Sequence, residues 1–212
     1  SCKADEGMIG AVAYLRVTYK NGSVSWMLLI ANTQVAKDSM TIPRRELYSM
    51  LMAAKLALRI KKAIQFPVDD IHVYNDNAAV HAWLKKNITK GAESVDQYVS
   101  RLTSEIMKQV NPNNIHWVPT KYNSADLLTK YISTNELFKK GTNWFEPNPI
   151  FNEKGVPTFD LDQYGVLQSS TVLFTEENLR KNSNKTANEY RLNGKMDELV
   201  NNNYSDHKSI II

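Results

Sequence analysis

Three acidic side chains in this chain stand where strands are predicted to end or helices to begin. Glu46 falls in the first turn of a predicted helix, Asp76 directly follows a predicted strand, and Asp126 lies at the start of another predicted helix. Strand ends and helix starts meet on one rim of an α/β sheet, where ligands usually bind. Carboxylates gathered on that rim would repel one another unless cations lay between them, and oxygen ligands suit Mg²⁺ or Mn²⁺. Two such ions can stabilise both oxygens of a phosphodiester displacement.

Each of these acids also has a purely structural explanation. An acidic side chain in the first turn of a helix interacts favourably with the helix dipole, and this could explain both Glu46 and Asp126. Asp76 precedes Asn77 and could cap the next helix. The catalytic interpretation therefore depends on the three side chains lying at the same rim of one sheet.

The elements that must position these acids begin with a hairpin. Met8–Tyr19 and Val24–Ala36 are rich in β-branched, aromatic and leucine side chains, and Asn21-Gly22 between them favours a tight turn. Pro43 then opens a pattern of apolar residues at three- and four-residue spacing, which predicts a helix to about Lys62.

Further along the chain, short apolar runs alternate with helical patterns. They predict, in order, a strand at Ile71–Asn75, helices at Asn77–Asn87 and Ser94–Val110, a strand at Ile115–Pro119, a short helix at Ala125–Tyr131 capped by Ser124, and a last helix at Thr134–Lys139. A strand–helix–strand order implies parallel strands packed under helices, and the hairpin adds an antiparallel part. The predicted fold class is therefore α/β, with a mixed sheet flanked by helices.

The character of the sequence changes after Asn143, so we predict one domain over residues 1–142 and a poorly ordered C-terminal extension over residues 143–212. Tyr164–Phe174 could form one strand within the extension. Arg180–Asn203 is rich in asparagine and weakly patterned, which predicts no fixed fold.

Charge and cysteine content narrow the function classes. Residues 1–140 carry a net charge of +7 and residues 141–212 a net charge of −3, which is compatible with a polyanion partner for the first part or with ordinary solvated lysines. Cys2 is the only cysteine, so an internal disulfide and a thiolate metal cage are excluded and a reducing, intracellular compartment is indicated. No stretch approaches the roughly 18–20 apolar residues that span a bilayer, so no membrane partner is expected.

Histidines and lysines are further candidates for binding residues. The four histidines show no spacing typical of a zinc site and are interpreted as surface or packing residues, as Trp83 and Trp117 are interpreted as core. The best candidates for contacts to backbone phosphates are Lys85, Lys86, Lys90 and Lys121. Such contacts would give binding that depends on salt and not on nucleotide sequence.

Four segments together resemble the ribonuclease H domain of BEL/Pao-type retrotransposon polyproteins. They are Gly10–Arg16, Thr41–Leu47, Tyr74–Leu84 and Trp117–Leu127. The resemblance covers roughly residues 1–145 and implies a ribonuclease H-like fold. It also implies two Mg²⁺ ions held by four carboxylates, and hydrolysis of the RNA strand of RNA–DNA hybrids. The implied protein partners are the reverse transcriptase and integrase regions of the same polyprotein.

The resemblance assigns three of the four ligands and leaves one position changed. Glu46 matches the helix glutamate and Asp76 the second-strand aspartate. Asp126 matches the last aspartate, in a segment written Asn-Ser-Ala-Asp here and usually Asn-Pro-Ala-Asp in the family. Lys3 stands where the family has the aspartate that bridges both metals, and an ammonium group cannot bind a cation. Asp5 shares a strand face with Lys3 but would sit about 6–7 Å further along the strand.

The sequence therefore predicts an RNA–DNA hybrid endonuclease lineage whose metal site is degenerate, with cleavage weak or lost. A non-catalytic nucleic-acid-binding or structural module of a reverse transcriptase polyprotein, or a domesticated remnant of one, is the alternative. An integrase-like member of the same fold class is disfavoured, because its glutamate would lie late in the domain.

Overall fold

The computed structural model describes most of the chain, with gaps. The described residues are 7–37, 40–90, 96–130, 132–139, 141–153, 155–161 and 205–212, without the side chains of 86–90 and 205–207. In this part of the chain, no helix is both long enough and apolar enough to cross a membrane.

The predicted hairpin is confirmed. Strands β1 (Met8–Tyr19) and β2 (Val24–Val35) pair antiparallel, with a shift of register between Ala13 and Tyr14. The turn is closed by a bond of 2.8 Å from the amide of Gly22 to the carbonyl of Tyr19. Gly22 has φ +84°, a conformation that glycine adopts without a steric penalty. The Asn-Gly pair thus sets the register of the two longest strands.

Three shorter strands complete one mixed sheet. They are β3 (Asp70–Asn75), β4 (Ile115–Trp117) and β5 (Ser205–Ile211), and the strand order is β2-β1-β5-β3-β4. Strand β5 is antiparallel to β1 and parallel to β3, and β3 is parallel to β4. The predicted fold class is confirmed, but the central strand, formed by residues 205–211, was not predicted.

One face of the sheet is covered by helices α1 (Ile42–Ala63), α2 (Ala78–Lys90) and α3 (Gln97–Gln109). The main core lies between this helix layer and the sheet. Its buried members include Ala11, Ala13, Leu47, Ala54, Val73, Val80, Leu102, Ile106 and Ile210. Full burial of one isoleucine or leucine side chain stabilises a fold by roughly 1.5–3 kcal/mol, so this layer supplies much of the driving force for folding.

The opposite face of the sheet is covered by a segment without regular strands or long helices, residues 143–153 and 155–159, which we call the cover segment. Trp144 and Phe151 are buried in it. Phe151 lies edge-on to Trp26 of β2 and to Tyr74 of β3, with ring centroids 6.3 and 5.2 Å apart. The first part of the predicted extension therefore packs on the sheet. The predicted strand at Tyr164–Phe174 lies outside the described residues.

Several local predictions are wrong in detail. Residues Ser124–Thr129 form a 3-10 helix instead of an α-helix reaching Tyr131, and Asn123, not Ser124, caps it by accepting from the amide of Ala125. Ser124 instead donates to the carbonyl of Asn143 in the cover segment. The final helix, α4 (Thr134–Leu137), is shorter than predicted and begins with a capping box between Ser133 and Glu136.

Gly10 is a point of close approach between β1 and the 3-10 helix. A Cβ atom built on Gly10 would lie 2.7 Å from Cβ of Leu128. We therefore expect Gly10→Ala to lower the free energy of unfolding by about 1–3 kcal/mol, because the added methyl group would overpack the core there. Urea denaturation measures this loss. Adding Leu128→Gly, which removes the Cβ atom that the new methyl group would meet, should recover part of it, and two additive losses would contradict a direct clash.

Candidate active site at one end of the sheet

Asp76 follows the last residue of β3. The register of the sheet places Asp76 level with Gly10 of β1. Tyr14 and His72 both pair with Ile211, and Gly10 and Asp76 lie four residues from Tyr14 and His72, towards the same end of the sheet. The backbone carbonyl of Asp76 accepts a bond of 3.0 Å from Nε1 of Trp117. Asp76 does not cap α2, as the structural alternative had it; the side chain of Asn77 accepts from the amides at the start of that helix.

Glu46 reaches the same end of the sheet from the helix layer. It is 2% exposed and lies in the second turn of α1, not the first as predicted, because the helix begins at Ile42. Ser49 lies three residues later on the same helix face and donates a bond of 3.0 Å to the carbonyl of Gly10. Glu46 therefore lies near the level that Asp76 occupies on the sheet. This position removes the dipole explanation for Glu46.

Asp126 approaches from the opposite face. It is 7% exposed and belongs to the 3-10 helix whose Leu128 packs on Gly10. Val12 and Tyr14, which share the face of Gly10, pack in the cluster that contains Trp144 and Leu128, away from the helix layer. The three predicted acids thus come from three separate elements to the same end of the sheet.

Lys130 is a neighbour that the sequence reasoning missed. Its Nζ forms an ion pair with Oδ2 of Asp126, four residues earlier. The spacing of four residues is visible in the sequence, but an exposed lysine has many possible partners there, so residue type alone does not predict this pair. Within the described ranges, no group of three or more His, Cys, Asp or Glu side chains is placed to hold a metal ion. The role of the three acids as metal ligands stays a prediction.

Other predicted site residues are placed only in part. Lys3 and Asp5 lie outside the residues that the structure describes. Lys85 and Lys121 are exposed, and Nζ of Lys121 lies 4.7 Å from the ring centroid of Tyr122. Lys86 and Lys90 lie in α2.

Two histidines form a stack under the cover segment. Nδ1 of His72 and Nε2 of His116 are 3.0 Å apart, and the ring of His116 also lies 4.9 Å from that of Tyr74, centroid to centroid. One nitrogen must donate and the other accept, so a doubly protonated pair would place two donors against each other. Burial, followed by the charges of His72 and His81, lowers the pKa of His116 to about 4.

This pair predicts acid sensitivity. The unfolded chain takes up a proton at His116 near pH 6.5, whereas the folded chain does so only near pH 4. The folded-state pKa is the lower one, so the contribution is present above about pH 6.5 and is lost as the pH falls towards 4. Urea titrations across that window should show falling stability. His116→Phe keeps a stacked ring without a titrating group and should make the slope shallower; an unchanged slope would rule out this cause.

The described residues thus form a mixed five-stranded sheet with helices on one face, and the three acids reach one end of it from a helix, a strand end and a late short helix. Residues 1–77 match the family model described as Pao retrotransposon-like RNaseH-like domain. The resemblance to the ribonuclease H domain of BEL/Pao-type polyproteins is confirmed over those residues, which include Glu46 and Asp76. Comparisons with curated proteins and with solved structures found no match.

Proposed function

We propose that this retroelement ribonuclease H-like module binds RNA–DNA hybrids and descends from an enzyme that hydrolyses their RNA strand. Glu46, Asp76 and Asp126 would hold Mg²⁺ or Mn²⁺, and Lys3 would impair that site. The observation that supports this most is the placement of the three acids, from three separate elements, at one end of the sheet, in a chain whose residues 1–77 match the family model.

The residues fit a hard cation in kind, since all three donors are carboxylates and two of them are buried. They do not fit as they stand, because Lys130 pairs with Asp126 and no group of three acids is drawn together within the described part of the chain. A bound metal would supply positive charge to the reacting phosphate. Metal binding would require Asp126 to separate from Lys130, while the buried position of Glu46 in α1 would hold that carboxylate in place.

By the resemblance, Lys3 takes the position of the fourth ligand. Its positive charge would repel cations there and could pair with Asp76 or Glu46 instead. Such a pair would favour folding and oppose metal binding. We therefore expect cleavage by the chain to be weak or lost.

Hybrid binding would rest on the phosphate backbone. The exposed Lys85 and Lys121, with Lys86 and Lys90 on the same helix as Lys85, are the proposed contacts. Binding should weaken steeply as salt rises, since each neutralised phosphate releases counterions. In this function the module works inside the cell, in the cytoplasm or the nucleus. It would do so beside the reverse transcriptase and integrase regions of its polyprotein.

A non-catalytic binding or structural module is the second candidate. The ion pair between Lys130 and Asp126 favours it, because that contact satisfies one of the acids without a metal. The fold would then persist as a surface that grips a hybrid.

Hybrid cleavage separates the two candidates. RNA–DNA hybrid with labelled RNA is incubated with Mg²⁺ and with Mn²⁺, using the wild-type chain, Lys3→Asp, and Lys20→Asp as a control with the same change of charge. Circular dichroism first checks that each chain is folded. The enzyme lineage predicts cleavage by Lys3→Asp well above the other two. A folded Lys3→Asp chain that binds hybrid without cutting it would favour the second candidate, and a chain that binds no hybrid would contradict both.

A further inference from the structure

Strand β5 is the only connection within the described sheet between its two halves. The β1–β2 hairpin lies on one side of it and the β3–β4 pair on the other. Residues Tyr14–Tyr19 pair with β5 antiparallel, and Asp70–His72 pair with it in parallel. The space between the two halves is therefore a slot with a row of strand backbone along each wall.

Both walls have support that does not depend on β5. Each wall strand has a second partner, since β1 pairs with β2 and β3 pairs with β4. Helix α1 packs against both β1 and β3. The slot is thus framed by elements that precede Pro119 in the chain, whereas the strand that fills it comes from the last eight residues.

The side chains of β5 match the slot in size and polarity. Ile210 and Ile212 belong to the main core on the helix side, and both are buried. Ser209 pairs with Arg16 and is fully buried, so its small side chain leaves room beside the guanidinium group on the other face. The recognition pattern is a small polar residue followed by branched apolar residues in an extended backbone.

The strand is also remote along the chain. Residues 162–204, which are 43 residues, separate it from the cover segment and the rest of the described chain. At about 3.3 Å per extended residue, a connection of that length puts no tight limit on where the strand docks. The two strands that pair with β5 are β1 and β3, and neither adjoins it along the chain.

From these observations we propose that the slot between β1 and β3 is a strand-acceptor site, and that residues 205–212 of the same chain occupy it as a separable strand. The mode is strand addition, in which main-chain bonds give affinity and alternate side chains give selectivity. This inference concerns folding and peptide binding and does not depend on metal binding or hybrid cleavage.

Rescue in trans tests the proposal. In the 212-residue chain carrying Ile210→Asp, a carboxylate enters the main core, and the cooperative unfolding transition should be lost. A synthetic peptide of residues 205–212 should restore the transition and the circular dichroism of the wild type. The same peptide with Ile210→Asp should bind roughly 100-fold more weakly or not at all. An Ile210→Asp chain as stable as wild type, or one that saturating peptide leaves unfolded, would overturn the proposal.

A disulfide in otherwise wild-type chain gives a second test that needs no unfolded variant. Val17 and Lys208 are register partners. With Cys2→Ser, Val17→Cys and Lys208→Cys, oxidation should link residues within one chain and block uptake of labelled peptide, and reduction should permit uptake. A link between two chains, or peptide uptake that the link leaves unchanged, would contradict a separable strand from the same chain.

Discussion

Changing Asp76 to asparagine in the Lys3→Asp chain is expected to abolish the hybrid cleavage that Lys3→Asp creates, with a loss of at least about 100-fold. Asparagine keeps the size of the side chain and removes its negative charge. Because Asp76 follows the end of β3, level with Gly10, the substitution should leave the sheet intact. The measurement is the initial rate of RNA cleavage at saturating Mn²⁺, with hybrid affinity measured in parallel.

Asp70→Asn is the matched control for this loss. Asp70 begins the same strand at its opposite end and accepts a hydrogen bond from Asn114. Both substitutions remove one negative charge, Asp70 at the start of β3 and Asp76 just after its end, but only Asp76 lies at the proposed site. Equal losses in the two variants would show that charge or folding, and not the position of Asp76, controls the rate.

Arg16→Met is expected to lower the free energy of unfolding by about 1.5–3 kcal/mol. Arg16 is 2% exposed, and its guanidinium group donates to the carbonyls of Phe151, Glu153 and Gly155 and to the hydroxyl of Thr18. Methionine fills similar volume but leaves three carbonyls of the cover segment without this donor. Urea denaturation measures the loss, and limited proteolysis should show faster cutting within the cover segment.

Arg59→Met provides the comparison. Arg59 is an exposed arginine on α1, so the same chemical change there should alter stability by less than about 0.5 kcal/mol. If both variants lose stability equally, or if the cover segment resists protease in Arg16→Met, then Arg16 does not hold that segment to the sheet.

The helices and strands that precede β4 could largely be predicted from local features of the sequence. The Asn21-Gly22 turn, the strand-forming residue types beside it and the apolar spacing after Pro43 are each local features of the sequence. The placement of Glu46 and Asp76 at one end of the sheet followed from the same logic, because a strand end and a helix start on one rim are set by the order of the elements.

Contacts between residues far apart in the chain could not be predicted from the sequence. Ser205–Ile211 becomes a central strand only because a slot between β1 and β3 exists elsewhere in the chain, and seven residues have no periodicity long enough to signal that. The pair of Lys130 with Asp126 was missed because an exposed lysine has many possible partners in sequence. Arg16 was missed because its acceptors are backbone carbonyls, which leave no mark on residue type.

Titration with Mn²⁺, followed by the loss of the free-ion signal in electron paramagnetic resonance, probes the cation pocket without requiring turnover. Compared with wild type and Lys20→Asp, the Lys3→Asp chain should bind Mn²⁺ at least about tenfold more tightly, since a repelling charge becomes a ligand. Adding Asp126→Asn should remove that gain. If all four folded chains bind Mn²⁺ equally weakly, then Glu46, Asp76 and Asp126 share an end of the sheet without forming a metal site, and the account is wrong.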